Sequence, residues 1–153
     1  MIEVMVSMLV GAVLLITFLT LVVHSVKVER TNKDKLRAEL YLREMIEVAK
    51  DLEKSNWNEL TDGTCNTSCH PEISVSGTTW DILSDEETIG GIFTRSITVE
   101  PIERDNNLAF PNNIVESGGT NDPNTKKVTG TISWNSSGTP RTMTLEAYIY
   151  HYD

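Results

Sequence analysis

From Val4 to Val26 the chain carries no charged side chain, before Pro71 it has no proline, and within its first 54 residues its only glycine is Gly11. Helix breakers and turn formers are therefore missing from the first third, which leaves one long helix as the simplest reading there. Basic residues are scarce as well: 13 Lys plus Arg stand against 22 Asp plus Glu, for a formal net charge of −9. That deficit argues against a nucleic-acid binder working through bulk charge. Catalytic signatures are missing too, with no Gly-x-Ser-x-Gly, no phosphate-cradling glycine loop and no paired-histidine metal motif. The expectation is a protein that is not an enzyme and needs no cofactor, one domain with attachments at 153 residues.

What is present falls into three zones, at 1–26, 27–55 and 56–153. Val4 to Val26 holds 17 apolar residues out of 23. As a helix this stretch is roughly 35 Å long, enough to span a hydrocarbon core of about 30 Å. A cleavable secretory signal wants a basic start and a small-residue cleavage site, whereas here Glu3 lies near the start and Val22-Val23-His24-Ser25 at the far end. Glu3 itself is costly at the edge of an apolar segment. It either reaches the headgroups as an interfacial residue or serves as counter-ion to an amine in a neighbouring copy. Ser7 and Gly11 form a small-x3-small pair that lets a second helix approach closely. His24 is expected at the membrane interface.

From Lys27 to Lys54 charges of both signs alternate, and Leu36, Leu40, Leu42, Met45, Ile46, Ala49 and Leu52 recur at helical steps. This predicts an amphipathic half continuing from the apolar half, with solvated pairs Glu29–Lys33, Glu39–Arg43 and Glu47–Lys50. Asn56, Asn58 and a Thr61-Asp62-Gly63 turn end the helix, giving a rod of about 80 Å. All five prolines and an excess of fourteen acidic over five basic residues belong to 55–153. Strands are expected over Thr79–Leu83, Ile92–Glu100, Lys127–Trp134 and Thr142–Tyr150, the last two joined by a loop over Asn135–Pro140. Residues 101–126 read as acidic surface loop, and Asp85-Glu86-Glu87 as a solvated turn. The fold class is α+β: a long N-terminal helix packed on a small antiparallel sheet.

The two cysteines stand in Cys65-Asn-Thr-Ser-Cys69-His70. A short disulfide loop outside the cytoplasm is the leading reading. Zinc ligation with His70, which lacks a nearby fourth ligand, covalent haem attachment, for which the cysteine spacing is one residue too long, and a pair of free thiols are the others. Asn121, Asp122 and Asn124 offer oxygen ligands to a calcium ion at a generic spacing.

The opening Ile2-Glu3-Val4-Met5-Val6-Ser7-Met8-Leu9, the uncharged helix, its amphipathic extension and the β-rich head together resemble the type IV pilin family and its pseudopilin relatives. Within it the chain is most similar to minor pilins of the pilus-modification V type. This likeness lies in Phe93-Thr94-Arg95-Ser96-Ile97-Thr98-Val99, Glu103-Arg104-Asp105, Lys126-Lys127-Val128-Thr129, Ile132-Ser133-Trp134 and the Leu145 to Tyr152 terminal strand. The resemblance implies a structural subunit, assembled through its helix into a pilus or pseudopilus that serves assembly, priming, adhesion or protein secretion. Partners would be other pilins and an inner-membrane assembly platform. Glu3 would pair with the N-terminal amine of an adjacent subunit and, with Ser7 and Gly11, set the packing of the helix.

Two departures accompany the likeness. The family's mature chains open on a residue such as Phe after a basic leader ending in Gly, and Met1 lies about two residues short of that start. Many members also carry a proline in the later apolar helix, absent here. Topology is in tension: the basic residues following Val26 place the head in the cytoplasm by the positive-inside rule, whereas the resemblance and a Cys65–Cys69 disulfide place it outside the bacterial inner membrane. The resemblance sets the expectation. The alternative function is a single-pass, membrane-anchored extracytoplasmic ligand-binding module that does not polymerise.

Overall fold

The computed structural model describes residues 2–61, 65, 67–74, 77, 79–109, 113–115 and 117–152. The chain divides into two compact units, one through Arg37 and one from Ala38. Helix α1 (Ile2–Ser55) supplies the described part of the first unit and opens the second. The expected helix is continuous because no proline removes an intrahelical donor along its length. Its hydroxyl residues do not compete with it: Ser7 Oγ donates to the Glu3 carbonyl at 2.8 Å, Thr17 Oγ1 to that of Leu14 at 2.8 Å and Thr20 Oγ1 to that of Thr17 at 2.8 Å. Asn56 N–H closes the last turn on the Leu52 carbonyl, and a short helix α2 (Trp57–Thr61) follows. Asp62 and Gly63 of the expected turn lie outside the described residues.

The remainder of the second unit is a seven-stranded antiparallel sheet: β1 (Cys69–Ile73), β2 (Trp80–Ser84), β3 (Glu87–Ile89), β4 (Phe93–Arg104), β5 (Ile114–Val115), β6 (Thr120–Ser136) and β7 (Thr139–Tyr150). The order is β2-β1-β4-β6-β7, with β3 and β5 also pairing with β4. The four expected strands are all there, most of them longer than their sequence signal. The expected loop over 101–126 is corrected at both ends, since β4 runs on to Arg104 and β6 begins at Thr120. Polar residues suffice there because the ladder itself satisfies the backbone and one face meets solvent. The β6–β7 connection is also tighter than expected. Ser137 and Gly138 alone make the turn, both at positive φ (53° and 81°), the backbone that a two-residue hairpin matched to strand twist requires.

Strand β4 alternates as read from sequence, with Phe93, Arg95, Ile97 and Val99 buried and Thr94, Ser96 and Thr98 half-buried. Against it and β6 lies the part of α1 from Ala38 onward, burying Leu42, Met45, Ile46, Ala49 and Leu52 as expected, together with Ala38 and Val48. Leu36 and Leu40, expected on the same stripe, are instead 62% and 65% exposed. Leu40 sits about 160° around the helix from Leu42, so the two cannot face the same sheet. Gly130 on β6 shows how closely helix and sheet approach: a Cβ there would lie 3.3 Å from Met45 Cε and 3.4 Å from Leu42 Cδ2. Its missing side chain is the space those two core residues occupy.

Candidate functional site

The first candidate surface is the exposed apolar length of α1. Its window of highest apolarity has a mean hydropathy of 2.7, and the helix is long and apolar enough to cross a membrane. Side chains from Ile2 to Val28 are exposed, with Leu14 at 63% and Phe18 at 63%. The hydroxyls of Ser7, Thr17 and Thr20 return to their own helix backbone, so they add no unsatisfied donor to that surface. Glu3 stands in the first helical turn, where the N-terminal end of the dipole favours a carboxylate. Ser7 lies one turn further on, and at Gly11 nothing comes within 4 Å of a would-be Cβ. Glu3, Ser7 and Gly11 thus follow one another at i, i+4 and i+8 along one face, which small side chains leave open to a close neighbour.

The second set of predicted residues is the cysteine pair. Cys65 and Cys69 are joined in a disulfide, with Cα atoms 5.3 Å apart. Neither sulfur is left for a metal, so a zinc reading with His70 loses two of its three ligands, and His70 Nδ1 instead faces the Asp85 carbonyl at 3.1 Å. Val99 N–H donates to the Cys65 carbonyl at 3.0 Å, and Cys69 pairs with Ile97. The bridge therefore ties the segment after α2 to the centre of β4; its loop is too short for much entropic stabilisation.

Arg95 braces the head in a way that residue pattern alone does not assign. It is 5% exposed, and its guanidinium donates to Glu87 Oε2 at 2.6 Å, to Glu44 Oε1 at 3.1 Å and to the Pro71 carbonyl at 3.4 Å. One buried cation so joins α1, β3, β4 and β1. Glu87, expected in a solvated turn, is corrected to a partner of this cation. The signal was legible in principle: Arg95 occupies a core-facing position of the alternation from Phe93 to Val99, where a charge needs partners.

The calcium candidates lie at a wide irregularity in the sheet. Pro101 pairs with Lys126 and Ile102 with Asp122, so Pro123, Asn124 and Thr125 of β6 bulge out between them. Pro123 has no N–H to give, which suits it to such a position. The Asp122 carboxylate fills the bulge: Oδ1 accepts from Asn124 N–H at 3.0 Å, and Oδ2 accepts from Arg104 Nε and, at 2.7 Å, from Thr125 Oγ1. Arg104 also donates to Asn113 Oδ1 at 3.0 Å and to Thr125 Oγ1 at 3.1 Å. Asn121 is exposed and Asn124 half-buried. A cation binding at Asp122 would have to displace a guanidinium already seated there.

Burial raises the pKa of Asp122, but hydrogen bonds from Arg104, Thr125 and the Asn124 N–H together outweigh it and hold the carboxyl below its usual range. A carboxyl depressed in the folded state adds stability above its unfolded pKa, about 3.9, and that contribution fades as pH falls through the folded value. Asp122→Ala is expected to cost about 1–3 kcal/mol at pH 7. The deficit should shrink progressively below about pH 4, as measured by urea unfolding of the nanodisc-held chain at a series of pH values.

Beside the bulge is a groove of about 440 Å³ lined by Arg104, Ile114, Thr125, Tyr148, Tyr150 and Tyr152. It adjoins a second groove of about 630 Å³, with which it shares Ile114 and Tyr148. Among the described residues, no group of three His, Cys, Asp or Glu side chains is placed to hold a metal ion. Compared with family models, with curated proteins and with solved structures, the chain finds no match.

Proposed function

We propose that this chain is a minor pilin or pseudopilin: a subunit held in the bacterial inner membrane by the apolar length of α1, with its head outside the cytoplasm, that enters a pilus or pseudopilus through that helix. The observation carrying this reading is a single uninterrupted helix, Ile2–Ser55, whose apolar side chains from Ile2 to Val28 are exposed, whose Ser7, Thr17 and Thr20 hydroxyls bond its own backbone, and whose only carboxylate before Glu29 is Glu3, in the first turn. An anchor needs the apolar length alone. A carboxylate at its head adds nothing to spanning beyond its favourable place at the helix N-terminus, whereas in a polymer it also meets the amine of the neighbouring subunit.

Assembly by this route exchanges lipid contacts for helix–helix contacts, a nearly balanced trade in which packing at small residues and one ion pair decide the outcome. The disulfide fits an oxidising compartment for the head. Partners in this reading are sister pilins or pseudopilins and the inner-membrane assembly platform. The test is Glu3→Ala, with membrane insertion and filament incorporation scored separately in the same cells. An anchored ligand-binding module that never polymerises is the competing outcome.

A further inference from the structure

The outer face of β7 ends in a row of tyrosines that the filament reading does not use. Tyr148 and Tyr150 are two residues apart on one strand, so their rings emerge on the same side about 7 Å apart. Tyr152 follows and meets Tyr150 edge-on, with ring centroids 4.6 Å apart. All three are open to solvent, at 53%, 44% and 80% exposure. Large aromatic rings left in water along a groove mark a place where something flat and partly apolar can lie.

The polar side of the same groove is fixed. Thr125, paired with Tyr150 across the strands, is 2% exposed. Its hydroxyl bridges Arg104 and Asp122, and the guanidinium is held by three bonds. On the next rung Lys127 pairs with Tyr148 and is bound by Glu146 at 3.1 Å. The groove thus offers ring faces along one wall and pre-oriented donors and acceptors along the other. The adjoining groove adds the carboxylates of Glu100 and Glu103, and each groove lies within the roughly 300–1,000 Å³ of typical small-ligand sites.

We infer that the paired grooves bind a neutral saccharide chain. A sugar ring presents C–H faces that lie on aromatic rings and a rim of hydroxyls that both donate and accept, which is the combination the two walls supply. Charge selects against the other flat ligands. Among the lining residues the carboxylates Glu100 and Glu103 balance the cations Arg104 and Lys127, and both cations are already engaged, by Asp122 and Glu146, so the lining offers no unpaired cation to hold nucleic acid, anionic glycan or anionic lipid. The inference needs only the head and stands whether or not the helix enters a filament.

The test uses the full chain in lipid nanodiscs, with empty nanodiscs as blank and calorimetric titration of three probes: fully N-acetylated chitohexaose, cellohexaose and heparin. At least one neutral hexasaccharide should bind, and Tyr148→Ala and Tyr150→Ala should each weaken it by about tenfold, while Tyr150→Phe retains it. These side chains are exposed, and an unchanged circular dichroism melt confirms that the variants fold. Absence of binding by both neutral probes, binding indifferent to both alanine variants, or tighter binding of heparin would overturn the inference.

Discussion

On the proposed role, Glu3→Ala is expected to leave the chain in the membrane and to remove it from filaments. Insertion is governed by the apolar helix, whose mean hydropathy reaches 2.7, and replacing a carboxylate by a methyl group at its edge can only favour transfer into lipid. Incorporation is different, because lipid-to-helix exchange releases little hydrophobic free energy. There a desolvated ion pair worth about 1.5 kcal/mol or more shifts the balance by about tenfold or more. The sheared surface fraction should therefore lose at least that factor of the variant, while the membrane fraction keeps its wild-type amount. Glu3→Gln separates charge from hydrogen bonding: it should fail nearly as badly, since an amide retains an acceptor but cannot neutralise an amine.

Arg95→Ala should cost the head about 3 kcal/mol, at the low end of the range for breaking a buried charged network. The low end applies because the partners can rehydrate: the side chains of Glu44 and Glu87 are 40% and 36% exposed, against 6% for that of Arg95. What is lost is the only cation among the described residues that bonds α1, β3 and the Pro71 carbonyl of β1 at once. Arg95→Met keeps the bulk of the stem and fills the space, so it should recover much of the loss. Urea unfolding followed by the fluorescence of Trp57, Trp80 and the buried Trp134 measures both. Equal midpoints for Arg95→Ala and wild type would show that the network contributes nothing net.

Much of this architecture can be read from residue patterns, and the places where it cannot have physical reasons. The long helix is legible because an absence of proline and glycine is a local property, and β4 because Phe93 to Val99 alternates with period two. β1 is not legible: Cys69-His70-Pro71-Glu72-Ile73 has neither alternation nor β-branched density, and it becomes a strand by pairing with β2 along five residues. There Pro71 does no harm, since β1 meets β4 only at Cys69 and has no rung left for the missing N–H. The outer ends of β4 and β6 were hidden by their polarity, and the Asp122 bulge looked like ligand spacing because side chains that brace a backbone are the same oxygens that hold ions. For the candidate sites, Ser7 and Gly11 stand out by their spacing and Glu3 by its place at the edge of the apolar run, while an assembly role for Glu3 follows only from the family resemblance. The tyrosine groove could not, since it depends on β6 and β7 being in a register that sets Thr125 beside Tyr150.

The central claim is that the apolar length of α1 exists to pack against sister helices. It is tested most directly by placing a photo-reactive benzoylphenylalanine at Leu14, 63% exposed in the isolated chain, and irradiating cells that are making filaments. The account predicts adducts between this position and the apolar helix of another pilin or pseudopilin subunit, in both the membrane and the sheared filament fraction. Adducts to lipid alone, in cells with abundant filaments, would contradict it.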